Sequence, residues 1–176
     1  MLVSIVPSGT YAILVIDPGK TTGLFAGYVD LDVTVKETLE TVRMKKSAEL
    51  RGDNWLDSAH KINDVMNRFV YTANVEQRLR VGHIHIVFED FVQRYETSIL
   101  DSIWMMAGAV TCYTLPEFNN GAKPIVQPTY QQPSEAKSFA TNERLKLWNL
   151  WEVGSEHRRD AARHFAKRID LLLSGK

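Results

Sequence analysis

A single cysteine, Cys112, leaves this 176-residue sequence without an internal disulfide. A hydrophobic core must hold the fold, and the length is enough for one such core in a single domain over residues 1–176. No apolar run is long enough to cross a bilayer, so no membrane partner is expected. The first residues lack the basic start, long apolar stretch and small-residue cleavage site of a secretory signal. With the lone thiol, this points to a reducing, cytoplasmic setting. No internal repeat and no low-complexity linker interrupts the chain. Net charge is lacking too, since 21 Lys and Arg offset 21 Asp and Glu. The balance is uneven along the chain: residues 1–119 carry 11 basic against 15 acidic side chains, and residues 120–176 carry 10 against 6. The C-terminal third is thus either a surface for a polyanion or a plain solvated face.

One glycine is missing where it would decide a function. The stretch AILVIDPGKTTGLFAGY (12–28) contains a Gly-Lys-Thr, but a phosphate-binding loop of the Walker type needs another glycine five residues earlier. Leu14 stands there, inside an apolar run. What remains is Asp17, a carboxylate at the end of a strand that reads as buried. Asp-Pro-Gly is also a common turn, so Asp17 alone decides nothing.

Tyr11–Ile16 is a short apolar run rich in β-branched residues, the pattern of a central strand buried on both faces. Thr22–Val29 and Val33–Met44 read as two further strands, the second from its alternation, joined by a hairpin. Residues 54–78 switch to a helical period: Trp55, Leu56, Ala59, Ile62, Val65, Met66, Phe69 and Val70 share a face opposite Asp57, Lys61, Asp64 and Arg68. HIHIVFED (83–90) is a second buried strand ending in acids. Residues 97–114 form an apolar helix, with Trp104, Met105 and Met106 as core or as part of a face toward a partner. KPIVQP (123–128) reads as a short strand closed by Pro128, YQQPSEAKS (130–138) as a loop, and two helices follow at about 142–151 and 155–173. The order is β-β-β-α-β-α-β-α-α: an α/β fold with a mixed five-stranded sheet, three antiparallel strands then parallel ones, flanked by helices.

Active sites in such sheets gather beyond the carboxyl ends of the strands. Asp17 ends the first strand and Glu89 the fourth; as parallel neighbours they reach one edge. Two carboxylates held together beyond apolar strands need a compensating cation, and hard oxygen ligands select Mg²⁺ or Mn²⁺. A third cluster, SEHRRDAARHFAKRID (155–170), places His157, Asp160 and His164 on successive turns of a helix, next to an apolar stripe of Ala161, Phe165, Ile169 and Leu172. Asp160 and His157 can complete a site begun by Asp17 and Glu89, and an imidazole ligand shifts the preference toward Mn²⁺. His164 is either a supporting partner near the metals, the favoured reading, or a surface residue one turn along. Asp90 alternates to the opposite strand face from Glu89 and reads as structural. His83 and His85 have a metal-compatible spacing, with no third ligand evident. The basic side chains of the last helix, Arg158, Arg159, Arg163, Lys167 and Arg168, are either a solvated face or phosphate contacts, and their place beside the proposed metal site favours the second.

VIDPGKTTG, IVFEDF and EHRRDAARH, in this order and at these separations, resemble the three motifs of RuvC-type Holliday junction resolvases, and the bacteriophage members in particular. The resemblance spans nearly the whole chain and implies the ribonuclease H-like fold. It implies that Asp17, Glu89, His157 and Asp160 bind two metal ions and hydrolyse phosphodiesters of a four-way junction, leaving 5′-phosphate and 3′-hydroxyl ends. His157 is either a ligand or a proton acceptor. An aromatic wedge is implied shortly after the Glu, at Phe91 or Tyr95, and Lys137 matches a phosphate-contacting lysine. A two-fold junction calls for paired incisions, hence a homodimer. A viral member would work in the cytoplasm of a bacterial host. The alternatives are a nuclease of the same fold acting on flaps, forks or RNA–DNA hybrids, and a non-catalytic junction-binding module. An ATP-using actin-like protein would need two such domains.

Overall fold

The computed structural model describes residues 9–19, 21–90, 106–111, 113 and 126–175. Five strands form one mixed sheet in the order β3-β2-β1-β4-β5. β1 (Thr10–Asp17) pairs antiparallel with β2 (Thr22–Asp30), and β2 pairs antiparallel with β3 (Arg43–Leu50). On its other side β1 runs parallel to β4 (Ile84–Glu89), with Ile16 opposite Phe88. β4 runs parallel to β5 (Pro128–Gln131), with Glu89 opposite Gln131. This is the mixed sheet expected from the sequence.

The sheet is buried on both sides, and residue parity divides the two cores. Ala12, Leu14, Ile16, Ile84, Ile86 and Phe88 pack against α2 (Trp55–Tyr71) and against Ala109 and Tyr113 of a helical stretch, α3, at residues 106–111 and 113. Tyr11, Ile13, Val15, Phe25 and Val87 pack against α6 (Glu156–Leu173). Each strand residue points opposite to its neighbour, so Asp17 and Glu89 fall on the α6 side with the odd-numbered set. Among the described residues no helix is long and apolar enough to cross a membrane.

Several assignments are corrected. Val33–Met44 is not a strand: it holds α1 (Val35–Glu40), and the third strand lies later, at β3. Thr34-Val35-Lys36-Glu37 has the capping-box sequence: the Glu37 N–H donates to Thr34 Oγ1 (3.2 Å), capping the helix, and the Thr34 hydroxyl donates to Glu37 Oε2 (2.7 Å). That local chemistry outweighs the alternation. β3 escaped notice because it is an exposed edge strand carrying Arg43, Lys45, Lys46 and Glu49, the charges that guard an edge. Pro128 is the first residue of β5, a position where its missing N–H costs little, and residues 123–125 of the strand expected at 123–128 lie outside the described residues. Residues 130–138 are not a loop, because Pro133, at the start of a helix, leads into α4 (Pro133–Phe139). The helix expected at 142–151 ends earlier, as α5 (Asn142–Leu147), and the pattern at 54–78 is α2 extended by a π turn at Thr72–Glu76.

Candidate metal and nucleic-acid site

Three carboxylates converge at the carboxyl edge of the sheet. β1 delivers Asp17, β4 delivers Glu89, and the second turn of α6 delivers Asp160; one oxygen from each lies within 4.8 Å of the others. Among the described residues this is the one such cluster of metal-capable side chains. Asp17 and Asp160 are buried and Glu89 is partly so. Burial pushes the Asp17 carboxyl up to about 6; the His157 hydrogen bond opposes that rise, and the charges of Glu89 and Asp160 add to it. The trio therefore favours a cation, and an all-oxygen donor set suits Mg²⁺ or Mn²⁺.

α6 reaches this edge because small residues let it approach the sheet. Ala161, Ala162 and Ala166 are fully buried on its inner face. Gly23 of β2 has no side chain to hold the helix off: a Cβ there would sit 2.2 Å from the His157 carbonyl oxygen. Ser155 caps the helix, accepting from the Arg158 N–H at 3.1 Å, and its hydroxyl also donates to Glu49 of β3.

His157 does not join the carboxylate cluster. It adjoins the cluster through Asp17, its Nδ1 lying 3.2 Å from Oδ2. An ionised carboxylate only accepts, so Nδ1 carries the proton of that contact. This hydrogen bond raises the imidazole's affinity for a second proton, burial works against it, and the Asp17 charge adds to it. His157 is 44% exposed.

His164 is buried, at 1% exposure, and bridges two strands. Its Nε2 lies 3.0 Å from Glu89 Oε2 and its Nδ1 3.0 Å from Gln131 Oε1. Among the described residues the Gln131 Nε2 has no partner. Turning that amide over would present a donor to Nδ1 and leave Nε2–H of the ring for Glu89.

The same fold is found in solved structures. No protein-family model matches the sequence, and no curated protein sequence does. The structure of T. thermophilus RuvC in complex with Holliday junction substrate superposes with a TM-score of 0.57 at 14% identity, covering 94% of this chain and 96% of that one. A second Thermus thermophilus RuvC structure gives 0.53 at 16%, covering 93% and 96%. The chain has the RuvC fold. Its five-stranded sheet is the ribonuclease H-like arrangement that the motifs suggested.

On this RuvC fold the expected nucleic-acid contacts divide. Lys137, on α4, stands at the site, its Nζ 3.1 Å from Asp160 Oδ2. Arg163 is turned inward instead of toward a ligand surface. It is 12% exposed, Nη1 donates to Asp160 Oδ1, Nε donates to the Ala140 carbonyl at 3.2 Å, and Nη2 reaches Asn142 Oδ1. Arg158 lies 4.0 Å from Glu152, and Arg159 stacks over the Trp151 ring at 4.9 Å while donating to the Glu152 carbonyl. Lys167 pairs with Asp170 at 2.8 Å. Arg168 lies far along the helix, 3.0 Å from His85 Nδ1. His83 and His85 stack on Tyr11 and gather no third ligand among the described residues. Asp90 accepts from Gln132. Phe91 and Tyr95 lie outside the described residues, as does Cys112.

Gly23, Gln131 and Ser155 were missed by the sequence reading. A glycine inside a buried strand was the available signal for Gly23, since it marks a close backbone approach. Gln131 carried no signal, because its role depends on the β4/β5 register.

Proposed function

We propose that this chain is a metal-dependent endonuclease that cuts branched DNA, with the four-way junction as its principal substrate. The observation that carries the reading is the convergence of Asp17, Glu89 and Asp160 at the carboxyl edge of a RuvC-fold sheet. The T. thermophilus RuvC neighbour is itself bound to a Holliday junction substrate. In this reading the trio holds Mg²⁺ or Mn²⁺, two ions per site, and the chain forms one domain that pairs as a homodimer across the junction.

Bound divalent ions supply Lewis-acid polarisation of the scissile phosphodiester and a more acidic water. The remaining work falls to the side chains. Glu89 is fixed by His164, which prevents its carboxylate from rotating away. Asp160 is fixed by Arg163. His157 keeps Nδ1 on Asp17, and its Nε2 takes the proton from the attacking water, leaving 5′-phosphate and 3′-hydroxyl ends. Lys137, Arg158 and Arg159 contact phosphates, and Phe91 or Tyr95 wedges the junction core.

Cleavage of labelled four-way junction, linear duplex, flap and RNA–DNA hybrid, each in Mg²⁺ and in Mn²⁺, tests the reading. Paired symmetric nicks confined to the junction support it. Cuts spread over flaps and forks move the chain to general processing of branched DNA. Tight junction binding with no cut in either metal makes it a binding module. A junction complex containing one protomer, by analytical ultracentrifugation, overturns the dimer.

A further inference from the structure

Among the three carboxylates, Asp160 carries a strong cationic partner on each oxygen. Arg163 holds Oδ1 and Lys137 holds Oδ2. The two cations differ in every property that governs whether they can leave. Arg163 is 12% exposed, and its planar guanidinium is also tied to Ala140 and Asn142. Releasing it would strand the buried Asp160 carboxylate and the Ala140 carbonyl together. Lys137 is 49% exposed, on the short helix α4, with Asp160 as its only ion pair among the described residues. Its ammonium is a point charge on a flexible stem, attracted most by Asp160 and less by Glu89 and Asp17.

With Arg163 fixed on Oδ1, Oδ2 is the Asp160 oxygen left for a divalent ion held by the trio, and Lys137 occupies that oxygen and the same negative field. Two like-signed centres cannot share that oxygen at contact distance without strong mutual repulsion. We propose that Lys137 is an exchangeable counter-cation: a divalent ion entering the trio displaces its ammonium from Asp160 Oδ2, and the released side chain becomes a phosphate contact. This rests on the reading of the trio as a metal site. Arg163 stays in place as a positioning residue that keeps Oδ1 aimed. Metal loading and DNA binding are then linked, each favouring the other, because one event frees the charge that the other uses.

The test uses the full chain. Calorimetric titration with Mn²⁺ compares wild type, Lys137→Met and Arg163→Gln, with thermal melts to verify that each variant is folded. Removing the competitor should tighten Mn²⁺ binding by roughly 3- to 30-fold in Lys137→Met; removing the clamp should weaken it in Arg163→Gln. Junction binding in Ca²⁺ and in chelator, followed against salt, then separates exchange from simple electrostatics. One added phosphate contact steepens the slope of log K against log salt by about one. Wild type should show that steepening when Ca²⁺ is present, and Lys137→Met should show none. Wild type that takes up no divalent ion overturns the metal reading and the exchange together. Wild type that binds the ion, with Lys137→Met equal to it in affinity and in salt slope, overturns the exchange alone.

Discussion

The two faces of the sheet are built from alternate residues of the same strands, yet they do different work. On the α2 face the core is largely apolar, from Ala12, Leu14 and Ile16 to Ile62, Met66 and Val70, interrupted by the buried Ser58 and Asn63 of α2 itself. On the α6 face an apolar middle of Ile13, Val15, Val87, Phe165 and Ile169 gives way to polar groups at both ends. Asp17, Glu89, Gln131 and His164 occupy one end, and His85 with Arg168 the other. The strands are continuous, so the difference is made by parity and by the helix laid on top. α2 contributes bulk, whereas α6 contributes alanines that bring it close and an aspartate that reaches the sheet edge. One face supplies stability, and the other spends part of its burial on charge.

The largest effect expected from breaking that comparison is on chemistry. Asp160→Asn should lower junction cleavage by on the order of 10³-fold or more, since several kcal/mol of charge stabilisation depend on the trio. Its melting curve should remain cooperative, and full cleavage by this variant would remove Asp160 from the site. Next come paired core truncations. Phe165→Ala should cost about 3–5 kcal/mol and Met66→Ala about 2–5 kcal/mol in denaturant unfolding. Only Phe165→Ala should also reduce cleavage per folded molecule, because its helix carries Asp160. Equal activity losses would mean that the faces are not separable.

Gly23→Ala should destabilise by about 1–3 kcal/mol, because the added methyl meets a backbone carbonyl that cannot rotate away. It should depress cleavage more than its stability loss explains, a gap that assays well below the melting temperature would show.

Asp17→Asn should act in the opposite direction. The folded-state value of about 6 lies above the ordinary 3.8, so the folded chain holds this proton over a range where the unfolded chain has lost it. Stability from this group therefore falls as pH rises from about 4 to about 6. In chelator the variant should be more stable than wild type by on the order of 2 kcal/mol at pH 7.5, with the gain fading near pH 4. A gain of the same size at both pH values would argue against the burial of charge as its cause. The smallest effect is local: Thr34→Ala removes the α1 cap and should cost about 1 kcal/mol without changing cleavage per folded molecule.

Sequence exposed most clearly those parts whose signals are local. The buried run of β1, the apolar end of β4, and the helical faces of α2 and α6 each announce themselves within a dozen residues. Asp17, Glu89 and Asp160 stand out because each follows such a run or sits on such a helix. The third strand was misplaced because a polar edge strand has almost no hydrophobic signature, while the capping-box sequence at Thr34 and Glu37 was read as alternation. Lys137 was placed on a loop because its helix is only seven residues long and opens with Pro133. The inward turn of Arg163 and the link from Gln131 through His164 to Glu89 depend on register and packing. No single segment encodes either.

The site also has a temporal consequence. Its carboxylates come from positions 17, 89 and 160, so a nascent chain stopped short of residue 160 cannot assemble the trio, even with β1 and β4 already paired. If the trio holds a metal as proposed, its capture is deferred until α6 has been synthesised and has docked. Ribosome-arrested chains ending before Asp160 should therefore bind Mn²⁺ no better than the ribosome background, and longer chains that include α6 should gain binding abruptly.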